Sequence, residues 1–83
     1  MEMPEIIRQQ AQLARNSGAS VDLDTSMPTV CISAPGEPDI FMQGDDARQF
    51  EDQVRAYEDQ YPDVDSDDIE LFVAWPYIEN IWG

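Results

Sequence analysis

At 83 residues, the chain reads as one small domain, residues 1–83, near the length at which a single core yields only a few kcal/mol of net stability. Hydrophobic residues make up 42% and include 3 Phe, 2 Trp and 3 Tyr, so the composition excludes a disordered acidic tail and predicts a folded core. Asp and Glu number 18 against 4 Arg, with no Lys and no His, for a net charge of −14; such a field opposes direct contact with nucleic acid or anionic membrane and favours a basic partner.

The start, MEMPEIIRQQ, has neither the basic region nor the apolar run of a signal peptide. Pro4 to Ser17 predicts a first helix, with Pro at an early helical position, Ile6, Ile7, Ala11, Leu13 and Ala14 at helical spacing, and Gly18 to end it. Arg8 and Arg15 leave this end nearly neutral. Val21 and Leu23 then alternate with Asp22 and Asp24, and TVCISA and DIFMQ flank the turn-forming PGEP of 35–38. These predict a small antiparallel sheet, with Val30 and Ile32 facing the core opposite Ile40 and Met42, or opposite Phe41 in their place.

Ala47, Phe50, Val54, Tyr57 and Tyr61 recur at spacings of three and four, one apolar stripe on a helix that Asp45 or Gly44 caps and Pro62 ends. After the acidic link DVDSDD, Asp67 with Glu70 resembles a capping box opening a helix, while Ile69, Leu71, Val73 and Trp75 alternate as a strand would. The helix is the expectation. PYIENIWG would add a last turn or short helix that brings Tyr77, Ile78, Ile81 and Trp82 over the core. The fold class is α+β: two or three antiparallel strands packed against two or three helices. No apolar stretch nears the ~18 residues of a membrane span, and the single Cys31 allows no internal disulfide, so a cytoplasmic chain is expected.

Several chemistries fail on residue type. Asp63, Asp65 and Asp67 fit the first three ligand positions of an EF-hand loop, yet Asp68 stands where Gly is needed and Ala74 where a bidentate Glu is needed. Without histidine and with one cysteine, a zinc site is not expected. Cys31 lies inside an apolar alternation with no histidine to activate it and reads as a buried packing thiol. Carboxylates are too abundant for any pair to mark acid–base catalysis. No enzyme, metal or cofactor is therefore expected. Trp75, Tyr77 and Trp82 read mainly as core, because so small a domain must use its large side chains for packing.

The acids carry the functional reading. Residues 37–70 hold 13 carboxylates and 2 arginines, a net −11, beyond the magnitude of about 2 to 8 that solubility asks of a small domain. On a helical repeat Asp45, Asp52 and Asp59 fall opposite the apolar stripe, Glu51 and Glu58 flank it, and Arg48 and Arg55 can pair with Asp52 and Asp59 four residues on. A helix of about 25 Å with six carboxylates from Asp45 to Tyr61 has roughly the charge spacing of one DNA strand, ~3.4 Å per phosphate. A second row would come from Asp63, Asp65, Asp67, Asp68 and Glu70, or from Glu37 and Asp39.

In size, charge, lack of lysine, and the layout of sheet plus acid-rich helix over residues 29–70, the chain resembles the small acidic proteins by which bacteriophages and other mobile elements block host defence, the DNA-mimic anti-CRISPR and anti-restriction proteins. The resemblance implies an inhibitor in the host bacterial cytoplasm, monomeric or homodimeric, that occupies the DNA-binding groove of a basic DNA- or RNA-binding effector, with a type I CRISPR surveillance complex as the first target. From the charge pattern, the contact falls to Asp45, Glu51, Asp52, Glu58, Asp59, Asp63, Asp65, Asp67, Asp68 and Glu70, whose carboxylates would meet the Arg and Lys that otherwise hold phosphate. An immunity or antitoxin-type protein against a basic nuclease, with an aromatic anchor at Tyr57, Tyr61 or Trp82, would use the same electrostatics. An acidic accessory protein of a halophile is the third class, distinguished by unfolding at low salt.

Overall fold

Met3–Asn16 forms the first helix, α1, in the computed structural model, which describes residues 2–82. Ile7, Ala11 and Ala14 are its buried face, at spacings of four and three. Its end is a Schellman cap: Gly18 N–H donates to the Arg15 carbonyl at 2.8 Å and Ala19 N–H reaches back to the Ala14 carbonyl at 3.1 Å. Gly18 has φ of +80°, and a Cβ there would lie 3.0 Å from Pro35 Cδ, so both the turn and the approach of the next hairpin require glycine.

Three strands follow, β1 (Ser20–Asp24), β2 (Thr29–Ser33) and β3 (Ile40–Gln43), in an antiparallel sheet of order β1-β2-β3. Asp24 closes the first hairpin by accepting from Ser26 Oγ at 2.7 Å and Ser26 N–H at 2.9 Å. These bonds hold its carboxyl below the ordinary aspartate range. The second hairpin turns on Pro35 and Gly36, with Glu37 N–H donating to the Ala34 carbonyl at 3.2 Å. Register sets Leu23 beside Val30 and Val30 beside Met42, then Val21 beside Ile32 and Ile32 beside Ile40. Ile40 and Met42 thus complete the inner face, and Phe41 is the strand residue that points away, 59% exposed.

Helices α2 (Asp45–Gln60) and α3 (Ser66–Ile81) complete an α+β fold of three helices and one sheet. Gly44, not Asp45, occupies the N-cap of α2, and Asp65 that of α3, one residue before the helix starts at Ser66. The expected capping box at Asp67 and Glu70 is therefore displaced: both lie inside the helix. PYIENIW is no separate turn, because α3 runs through Pro76 to Ile81 as one element of 16 residues. Central α3 packs against α1 and α2 and touches β1, while α2 covers β2 and β3. The 17 Å shortest extent of the molecule fits one sheet and one layer of helices. Phe50, Ile7, Ile32, Ile69 and Val30 are its largest fully buried side chains.

Candidate functional site

The stripe on α2 divides its acids as helical geometry requires. Ala47, Phe50 and Val54 are buried, while Asp45, Asp52 and Asp59, at intervals of seven, are exposed on the far side. Glu51 is a correction to the outward set: it is only 9% exposed and binds Arg55 at 2.6 Å. Its position next to Phe50 turns it toward the core, where an ion pair four residues on satisfies it. Arg55 thus pairs backward with Glu51 instead of forward with Asp59.

Beyond α2 the acidic run stays attached to the body. Val64 is buried and its N–H donates to the Tyr61 carbonyl at 3.1 Å, so Asp63 and Asp65, both exposed, flank an anchored residue. Ser66 Oγ donates to Glu58 Oε2 at 2.6 Å, tying the end of α2 to the start of α3. The two helices are also joined by aromatic rings: Tyr57 meets Phe72 edge-on at 5.1 Å and lies nearly parallel to Tyr61 at 6.3 Å. Tyr57 and Tyr61, expected as possible anchors for a partner, are half-buried in this internal packing.

At the start of α3 the acids separate by role. Asp67 is exposed. Asp68 turns inward and forms an ion pair with Arg15 of α1; its Oδ1 is shut off from water, makes no further hydrogen bond and has the guanidinium as its close partner. Half-buried Glu70 has its carboxyl pushed above the ordinary range, chiefly by burial and then by the charges of Asp67, Glu58 and Asp22. Four carboxylates from β1, α2 and α3 therefore share one patch. Asp22 is the member that sequence reasoning left out; its signal was the exposed phase of the Val21–Asp24 alternation, which says that it faces outward but not what stands beside it.

A recess of about 300 Å³ opens beside this patch, between the end of α1, the start of β1 and the first turns of α3, with Arg15, Ser20, Asp67 and Glu70 among its walls. Among the described residues no three carboxylates or thiols converge at metal-ligand spacing, so Asp63, Asp65 and Asp67 form no cage. Cys31 is a half-buried free thiol on the outer face of the sheet, beside Phe41. Among the described residues no helix is long and apolar enough to cross a membrane.

Of the ten acids expected to meet a partner, Asp45, Asp52, Asp59, Asp63, Asp65 and Asp67 are exposed, Glu58, Asp68 and Glu70 are half-buried, and Glu51 is buried. Arg15 and Arg55 neutralise Asp68 and Glu51. What remains runs along α2, over the link and onto the first turn of α3. No family model, curated protein or solved structure matches the chain.

Proposed function

We propose that the protein inhibits a basic, nucleic-acid-binding host-defence effector by DNA mimicry, acting in the bacterial cytoplasm as an anti-CRISPR that blocks target DNA binding by a type I surveillance complex. One observation carries this reading: the acids at the end of α2 and around Glu70 stand where they cost the fold stability, unlike Asp45, Asp46, Asp67 and Asp68 in first turns that the helix dipole favours. Glu58 and Asp59 lie in the last turn of α2, which has no basic residue, although anions at a helix C-terminus are unfavourable by about 0.3–1 kcal/mol. Glu70 is crowded by Asp67, Glu58 and Asp22. A face needed only for solubility would spread these charges, whereas a cationic cleft relieves the repulsion on contact.

In this mechanism Arg and Lys that would contact phosphate instead meet carboxylates presented by α2 and the 61–65 link. The decisive variant combines Asp52→Lys, Asp59→Lys, Asp65→Lys and Asp67→Lys. It is expected to keep the far-ultraviolet circular dichroism of the parent and lose inhibition of DNA binding by at least about a hundredfold. Glu51→Gln, whose acid is already turned inward, is expected to inhibit normally. A folded quadruple variant that still competes with DNA would overturn the proposal. The immunity or antitoxin reading predicts the same loss with a basic nuclease as target, and recovery of the partner from host lysate separates the two.

A further inference from the structure

A second cleft, of about 260 Å³, shares no lining residue with the acidic ridge and lies between the β2–β3 turn and the later turns of α3. Its walls include Trp75 and Trp82, with Pro35 beside them and buried Ile78 in the lining, and Glu37 and Glu79 at exposed positions. We infer that this cleft receives a single arginine side chain of a basic protein partner, its guanidinium held against the indoles and between the two carboxylates.

Four features of the cleft point to an arginine. A volume of about 260 Å³ accommodates one arginine side chain. Indole faces attract cations through their quadrupole, and a planar guanidinium can also stack on them. Glu37 and Glu79 have no ion-pair partner among the described residues, where the arginine pairs are Arg15 with Asp68 and Arg55 with Glu51. Finally, Trp82 Nε1 donates to the Pro38 carbonyl at 2.8 Å, which fixes the ring on the turn and satisfies its one donor. The ring therefore has no hydrogen bond left to offer an incoming group.

Only the source of the arginine rests on the proposed reading of a basic protein partner; the cleft can be tested alone. Both tryptophans of the chain line it, so intrinsic fluorescence reports on it directly. The titrant is N-acetyl-arginine amide, compared at constant ionic strength with the neutral N-acetyl-citrulline amide. A saturable change with the arginine compound alone is expected, weakened at least about fivefold in Glu37→Gln/Glu79→Gln and unchanged in the charge-matched Glu2→Gln/Glu5→Gln on exposed positions of the chain start. Both pairs are exposed, and circular dichroism would verify their folding. A non-saturating response, an equal response to citrulline, or indifference to Glu37→Gln/Glu79→Gln would overturn the inference, and tighter binding of tetramethylammonium would overturn the choice of guanidinium. Saturable arginine binding in a protein whose quadruple lysine variant still inhibits would sink the DNA-mimic reading and leave the cleft standing; the reverse pattern would do the opposite.

Discussion

Arg15 and Asp68 make an unequal pair: the Arg side chain is 42% exposed and the Asp side chain 13%. Removing the exposed partner strands a buried anion, whereas removing the buried charge leaves an arginine that water can solvate. Arg15→Ala is therefore expected to cost about 1–3 kcal/mol in urea unfolding, and Asp68→Asn less than about 1 kcal/mol. Equal losses would mean that the pair is not buried as described. Glu70 works in the opposite sense. Its folded-state carboxyl is raised by burial, Asp67, Glu58 and Asp22, so the folded protein binds the proton more tightly than the unfolded chain, and stability falls as pH rises through the raised range. Glu70→Gln should raise the melting temperature at pH 7, with the gain vanishing below the ordinary glutamate range. A lower melting temperature at pH 7 would contradict this.

Among the elements, α2 was readable because it is buried on one side only. Its stripe specified Phe50, now fully buried and in tilted contact with Tyr77 at 6.1 Å, so one side chain joins α2 to α3. Phe50→Ala is expected to cost about 3–5 kcal/mol, much of the stability of a domain this small, and thermal unfolding would show it. Gly44 governs the start of the same helix with φ of +63°, while a Cβ there would meet nothing within 4 Å. Because its ψ of −131° lies outside the left-handed helical region that Asn tolerates, Gly44→Ala and Gly44→Asn should each cost about 1–3 kcal/mol from the backbone alone. Helix α3 was ambiguous for a physical reason: Ile69, Leu71, Val73, Ala74 and Ile78 are buried on more than one side, between α1, α2 and β1. A helix covered from several directions loses the 3.6-residue period, and its every-other-residue burial then resembles a strand.

For the whole molecule, a charge of −14 sets the response to salt. Because the Debye length is about 10 Å at 0.1 M salt, repulsion among α2, the link and α3 is only partly screened in dilute buffer. The melting temperature is expected to rise by a few degrees between about 20 and 200 mM NaCl, with the chain folded throughout. A requirement for molar salt to fold would favour the halophile reading over the proposed function. Composition disclosed this field in full but not its distribution. Withdrawal of Asp68 onto Arg15 of α1, and arrival of Asp22 from β1, depend on which elements pack together, whereas Glu51 and Arg55 pair four residues apart within α2.

Local pattern was enough for the sheet with its inward Val30 and Ile32, the Gly18 stop, the outward Asp45, Asp52 and Asp59, and the helical length of α2, since periods of 2 and 3.6 and turn chemistry act over a few neighbouring residues. Tertiary structure alone decided that Ile40 and Met42 face inward in place of Phe41, that α3 continues through Pro76, that Glu58, Asp67, Glu70 and Asp22 share a patch, and that Trp75 and Trp82 flank a cleft with Glu37 and Glu79. Each of these depends on contacts between residues far apart in the chain, whose meeting is set by packing of the one core and leaves no period in the sequence.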